Sequence, residues 1–220
     1  MTECGTFNVA AFYNDFSNQQ VLGGFQSSTN AAPPTEAIIN AGSSRIYGFE
    51  VESTLVPYKG VPLNLAYTYL NSKLEKVQAV APLPGSPYDV IDATAVAGYP
   101  LTLTPKNKVS FTATYQLPLD ESYGKLSVST TYTYQSKQLT SSLGPYEDVP
   151  AYGLLNFNLD WESVFQSPFD AEFFMTNVTD GYYSTYQTDL ISALGFASRL
   201  LGEPRMFGGR LRYHFGGPNS

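Results

Sequence analysis

The chain has 220 residues, a formal net charge of −7, and one cysteine, one histidine and one tryptophan. That acidic balance excludes a nucleic-acid binder, which needs a basic footprint, and one cysteine excludes an internal disulfide or a cysteine-built zinc cluster. Only 14% of residues are charged and 15% are aromatic, against roughly 25% charged in soluble domains; the mean hydropathy is −0.16, and no run of about 18 apolar residues exists for a membrane helix.

Few charges, many tyrosines and abundant Ser, Thr and Asn fit alternating strands in a membrane wall. The N-terminal MTECGTFNVAAFYND has none of the three regions of an export signal. If the chain is a barrel, it is therefore expected to be a mature piece or a fragment. Cys4 is expected to be incidental.

Side chains of a strand alternate between two faces, and the chain repeats that alternation. The first predicted strand is Gly5 to Asp15, with Phe7, Val9, Ala11 and Tyr13 on one face; Phe12 falls on the other. Residues 17 to 37 read as a long polar loop. The second strand is Ser43 to Leu55, with Tyr47, Phe49 and Val51 opposite Gly48, Glu50 and Glu52. Pro57 to Gly60 is a tight turn. The third strand is Val61 to Lys73, and a second long loop with many prolines covers 74 to 105. The fourth strand, Lys108 to Leu117, and the fifth, Lys125 to Gln135, alternate without a fault across the turn Pro118 to Gly124. Gln138 to Pro150 is a third polar loop. The sixth strand is Tyr152 to Trp161, followed by a turn at Phe165 to Phe169. The seventh is Asp170 to about Tyr183, where Phe174 breaks the pattern. In the fourth loop, 184 to 204, Leu190, Ile191, Leu194, Leu200 and Leu201 suggest a short amphipathic helix. The eighth strand ends the chain: Phe207, Gly209, Leu211, Tyr213 and Phe215 oppose Met206, Gly208, Arg210, Arg212 and His214.

A half-buried strand of a soluble sandwich shows the same alternation. The gaps favour a membrane barrel, because they run long, short, long, short, long, short, long. Outer-membrane barrels place long loops outside the cell, short turns in the periplasm, and strands of about 9–11 residues between them. Tyr13, Tyr47, Tyr69, Tyr134, Tyr152 and Trp161 near strand ends fit aromatic girdles. The fold class expected is all-β, an antiparallel transmembrane barrel wall of about eight strands.

Several stretches, in this order, resemble the C-terminal end of TonB-dependent outer-membrane receptors: SRIYGFEVE (44 to 52), LNLAYTYLNSKL (63 to 74), YGLLNFNLDW (152 to 161), FFMTNVTDGYY (173 to 183) and the final GEPRMFGGRLRYHF. The resemblance implies the last eight strands of a 22-stranded barrel in the outer membrane of a bacterium. It implies uptake of a scarce small molecule (an iron–siderophore complex, cobalamin or an oligosaccharide) driven by the TonB system through a plug domain. It also implies an aromatic assembly signal, Tyr213 and Phe215, read by the barrel-assembly machinery. Plug and TonB-contacting segments are N-terminal in that family and absent from this sequence, so the chain alone is not expected to transport. Residues 1–215 are expected to form the partial barrel and 216–220 a disordered tail. The alternatives are a self-contained eight-strand outer-membrane barrel with a structural or adhesive role, and a soluble ligand-binding β domain. Eight strands cut from a wider wall leave two edges that lipid cannot satisfy, whereas an eight-strand interior needs more filling than Ser, Thr, Gly, Asn and Ala supply.

Function is sought on the inward face and in the loops. Glu50, Glu52, Arg210 and Arg212 share the inward face. They suit either a lumen salt-bridge network or contact with plug or substrate. His214 has no partners at catalytic or metal-binding spacing and is expected at the lumen or rim. Asp89 and Asp92 read as solvated loop charges. Tyr88, Tyr99 and Tyr146 are loop aromatics able to stack on a ligand. Asn177-Val178-Thr179 has the glycosylation pattern but more plausibly shapes a strand end. No catalytic residue, metal site or cofactor is expected; the partners expected are outer-membrane lipid and a small ligand, not nucleic acid.

Overall fold

The computed structural model describes residues 5–29, 31–33, 35–78, 81–82, 84–93, 97–140, 148–191 and 195–215. Cys4, Tyr146, Leu194 and the expected tail at 216–220 lie outside them. In chain order the strands are β1 (Gly5–Gln26), β2 (Thr35–Tyr58), β3 (Val61–Val77), β4 (Val90–Ala93), β5 (Asn107–Gln116), β6 (Lys125–Gln135), β7 (Gln138–Leu139) and β8 (Asp148–Val149). They continue with β9 (Tyr152–Glu162), β10 (Phe169–Thr176), β11 (Ser184–Leu190), β12 (Phe196–Leu201) and β13 (Met206–Tyr213).

Eight of these build one antiparallel wall, in the order β13-β10-β9-β6-β5-β3-β2-β1, with the short β4 added beyond β1. The tight connections β2–β3, β5–β6 and β9–β10 all lie at one end. The long ones lie at the other, as the gap lengths predicted. No ladder joins β13 to β1 among the described residues, so the sheet has two edges.

The burial pattern decides between membrane and water. Among the described residues the buried apolar side chains are few: Leu74, Val149 and Pro105. Meanwhile Phe7, Val9, Tyr47, Phe49, Phe111, Tyr132, Phe173 and Leu211 are exposed, all on the same face by register. A soluble sheet would bury such a face under a second layer. Here it is left for lipid, and the soluble-domain reading falls.

Four expectations are corrected. The polar stretch 17–37 is mostly strand: β1 and β2 run on as a hairpin, pairing Gln20 with Asn40 and Phe25 with Thr35 after register shifts between Phe16 and Gln20. Ladder hydrogen bonds come from the backbone, so polar side chains do not prevent them. At 22 and 24 residues these strands far exceed the 9–11 or so that cross a bilayer, and the hairpin projects above the membrane. In the fourth loop Leu190, Leu200 and Leu201 lie on a hairpin, β11–β12, where Tyr186 pairs with Leu200; of the helix expected, only Ile191, whose carbonyl accepts the Gly195 amide, is helical among the described residues. The seventh strand stops at Thr176, because Asn177 adopts φ 48°. Tyr152 pairs with Gln135 on the inward parity and packs on Tyr183 with ring centroids 4.6 Å apart, so it is not part of the outer girdle.

The two faults in alternation have one explanation. Phe12 lies directly across the ladder from Gly48, and Phe174 across from Gly208. A side-chain carbon on Gly48 would come 2.9 Å from the Phe12 ring, and one on Gly208 2.6 Å from the Phe174 ring. Each inward aromatic lies over a glycine, flat against the wall instead of standing in the lumen.

Candidate functional site

The inward face is built from register rows. One runs Thr6, Thr54, Asn64, Thr112, Thr131, Asn156 across six strands. Neighbours in it bond to each other: Thr54 Oγ1 donates to Asn64 Oδ1 at 2.9 Å, and the Thr112 and Thr131 hydroxyls meet at 2.9 Å. Short hydroxyl and amide side chains satisfy one another and keep the wall thin, which leaves a wetted surface rather than a filled core.

Nearer the short-turn end this face becomes charged. A row Gln116, Ser127, Asp160, Glu172, Arg210 crosses five strands. Arg210 Nη1 donates to Glu172 Oε2 at 2.7 Å, and His214 Nε2 lies 2.6 Å from Asp170 Oδ2. The other Asp170 oxygen accepts the Ser163 amide at 2.9 Å. With Arg212 these groups line a concavity of about 620 Å³. The predicted residues Arg210, Arg212 and His214 thus come together here.

Glu50 and Glu52 do not join them. They sit on β2, exposed on the inward face, with five strands between β2 and β13. That is about 29 Å along the sheet at about 4.8 Å per strand, too far for the salt-bridge network that shared parity suggested. Glu50 instead shares a row with Thr68, Lys108 and Gln135. The carboxylates of this floor, Asp170 and Glu172, were legible as polar-parity residues, but matching Glu172 to Arg210 and Asp170 to His214 required the pairing of β10 with the end of the chain. Tyr213 and Phe215 lie on the outer side at the short-turn end, rings 4.6 Å apart, with Tyr213 4.9 Å from Phe169.

At the opposite end the loops fold back over the inward face. Leu74 N donates to Tyr99 O (2.9 Å) and Gly98 N to Leu74 O (2.7 Å). Leu101 N donates to Ser72 Oγ at 3.1 Å. Residues 98–104 thereby cover Ser44, Ser72 and Leu74, all buried. Asp89 is clasped to the β1–β2 hairpin: its carboxylate accepts the Ser28 amide at 2.7 Å and the Ser28 hydroxyl. Those bonds, the hydroxyl first, hold its carboxyl below the ordinary carboxylate range. Tyr88 packs edge-on to Phe25 and donates to Pro33 O. Asp89 and Tyr88 are therefore structural ties, not free loop groups; Tyr99 remains half exposed (51%). Asp92 pairs with Gly24 through the backbone. Gln187 and Val149 are buried where β7–β8 meets β11–β12, with the Thr140 hydroxyl donating to Gln187 O.

Asn177 pins this end of the wall. It is 2% exposed. Its Nδ2 donates to Gly181 O (2.9 Å) and Glu203 O (3.1 Å), and its Oδ1 accepts the Gly181 amide (2.9 Å). This is the strand-end role expected of it.

The arrangement offers a hydrogen-bonding face, a charged floor and a roof of tied loops. Among the described residues no group of three or more His, Cys, Asp or Glu is placed to hold a metal.

Residues 5–178 match the family model of the TonB dependent receptor-like β-barrel. No curated protein matches the sequence. Among solved structures, the ferric yersiniabactin uptake receptor FyuA from Yersinia pestis aligns with TM-score 0.73 at 15% identity, over 98% of this chain and 28% of that one. The siderophore receptor PiuA from Acinetobacter baumannii gives 0.63 at 18%, over 96% and 26%. The ferric-catecholate import receptor Fiu from Escherichia coli K12 gives 0.64 at 18%, over 98% and 26%. At these identities the likeness is one of fold, and the chain spans about a quarter of each receptor's length.

Proposed function

Since the chain belongs to the TonB dependent receptor-like β-barrel family, whose barrels lie in the bacterial outer membrane, we propose that it is the C-terminal eight-strand section of the wall of an uptake receptor. The whole receptor takes in a scarce small molecule, with an iron–siderophore complex as the first candidate ligand. The observation that carries this is the sheet itself: apolar on one face, polar on the other, with every long connection at one end and both edges open. An open edge in lipid leaves backbone groups without partners, so further strands complete the barrel.

In this reading the wall section does no covalent chemistry. Ligand is met by the loops above the lumen, and a plug domain outside this chain gates passage and contacts the TonB system. Residues 1–215 supply wall and loops. Arg210, held by Glu172, and Arg212, across the ladder from Asp170, face the plug near the periplasm. Glu50 and Glu52 face the lumen farther round the wall. Tyr213 and Phe215 present the aromatic signal to the barrel-assembly machinery.

The test is deletion of the gene in its native strain, followed by uptake of iron-55 as catecholate and hydroxamate complexes and of labelled cobalamin. A strain lacking TonB is run beside it. TonB-dependent loss of one ligand's uptake supports the proposal. Unchanged uptake of all of them, under conditions where the protein is made, contradicts the siderophore and cobalamin readings.

A further inference from the structure

The outer face carries charges at the long-loop end of β1, β2 and β3. Just beyond the rim aromatics Tyr13, Tyr47 and Tyr69, at the long-loop end, the same register continues with Asp15, Arg45 and Lys73. Arg45 lies 3.0 Å from Asp15 and 3.6 Å from Glu75, and Lys73 is 3.6 Å from Glu75. Lys106 Nζ stands 5.6 Å over the Tyr69 ring, and the Arg45 guanidinium 5.7 Å over the Tyr13 ring. Arg45 and Lys73 thus share two carboxylates while Lys106 adds a third cation over the same aromatic rim, and the Arg45 and Lys73 side chains remain 43% and 50% exposed.

Below them the surface is concave. Tyr13, Tyr47, Phe49 and Tyr69, together with Phe12 of β1 and Gly48 of β2, line a hollow of about 460 Å³ with Arg45 at its upper end. Phe49 stacks on Tyr69 at 5.5 Å, so the hollow has a firm aromatic wall. Cations at mid-bilayer depth on a barrel's lipid face are destabilising by about 2–4 kcal/mol. At the rim they meet headgroups instead, and a planar guanidinium is suited to phosphate oxygens.

Resting on the outer-membrane barrel reading above, we propose that Arg45, Lys73 and Lys106 bind the phosphate of an outer-leaflet lipid whose acyl portion lies in the hollow between Tyr13, Tyr47, Phe49 and Tyr69. Charge complementarity chooses the occupant. The surplus is positive, it lies at headgroup height, and it continues directly into an apolar surface of acyl width. Asp15 and Glu75 orient Arg45 without neutralising the group.

The experiment uses the complete receptor carrying this wall, purified from outer membranes in dodecyl maltoside. Native mass spectrometry counts bound phosphorylated lipid and identifies it by acyl mass, which separates lipid from free phosphate. The wild type is expected to retain such a lipid. Arg45→Ala/Lys73→Ala/Lys106→Ala is expected to lose occupancy by about fivefold per cation removed, from about 1 kcal/mol for each basic residue near an anionic surface. Lys59→Ala, in the turn at the other end, is expected to match wild type. Equal lipid retention by the triple variant overturns the proposal. If that variant fails to fold, the wild type decides: in 1 M salt, where the screening length is about 3 Å, bound lipid falls, and undiminished retention overturns the proposal. Heat-modifiable migration is read in parallel. A folded barrel without lipid refutes this inference alone, whereas absence of a folded barrel refutes the reading beneath it.

Discussion

Replacing Asn177 by alanine tests whether one side chain holds the long-loop end of the wall together. The substitution removes three hydrogen bonds, to Gly181 O, Glu203 O and the Gly181 amide, from a site only 2% exposed. At about 1 kcal/mol net for each, the loss is about 3 kcal/mol. Asn177 also holds φ 48°, and left-handed backbone disfavours alanine by about 1 kcal/mol more. Asn177→Gly escapes the backbone term, and Asn177→Asp turns a carboxylate oxygen toward two carbonyls. Hydrogen exchange with mass-spectrometric readout, on the complete receptor, follows segment 177–205. A factor of ten in opening corresponds to about 1.4 kcal/mol, so Asn177→Ala should exchange at least about a hundredfold faster there. Asn177→Gly should be about fivefold less affected than alanine. If Asn177→Ala exchanges within threefold of wild type, Asn177 does not pin the long-loop end of the wall.

Gly48→Ala is predicted to block assembly, because its new carbon falls 2.0 Å from the Tyr69 carbonyl oxygen, which the ladder fixes. Gly208→Ala meets the Phe174 ring first, at 2.6 Å, and should be rescued by Phe174→Ala; the yield of heat-modifiable barrel checks both. Asp89 is a carboxylate whose folded pKa lies below its unfolded value. Its contribution is therefore complete above the unfolded value of about 3.9 and is lost as pH falls through the depressed folded one. Exchange protection of residues 26–29 should hold from pH 8 to 5 and fail only below about pH 4, and Asp89→Asn should remove that acid step. The Arg210–Glu172 pair is largely solvent-facing on the arginine side, 61% exposed. A double-mutant cycle should return no more than about 1 kcal/mol of coupling, and a larger value would mean that the floor is drier than drawn.

The eight wall strands were legible because lipid on one side and water on the other impose period two, and residues such as Val109 to Leu117 obey it. The rhythm of long and short gaps disclosed which end faces outward. What stayed hidden depends on pairing between distant residues. Gln20 and Asn40 look like loop residues, yet they extend a ladder whose hydrogen bonds their side chains do not advertise. The leucines near 190 and 200 admit helical spacing until Tyr186 and Leu200 are seen across a hairpin. Phe12 and Phe174 look like errors until Gly48 and Gly208 are placed opposite them. The floor was half readable: Arg210, Arg212 and His214 announce it, whereas assigning Glu172 and Asp170 to them needs the β10–β13 register. Shared parity alone wrongly suggested pairing them with Glu50 and Glu52. The Ser28–Asp89 clasp spans 61 positions, and nothing local signals it.

The central claim is that this sheet is an open section of a wider wall. Refolding of the purified chain in detergent micelles, read by circular dichroism and heat-modifiable migration, tests it most directly. β-rich material without a compact heat-modifiable monomer is expected, because the β1 and β13 edges have no partner in lipid. A compact heat-modifiable monomer, with cysteines placed on β13 and β1 crosslinking at high yield, would show that eight strands close by themselves and would contradict it.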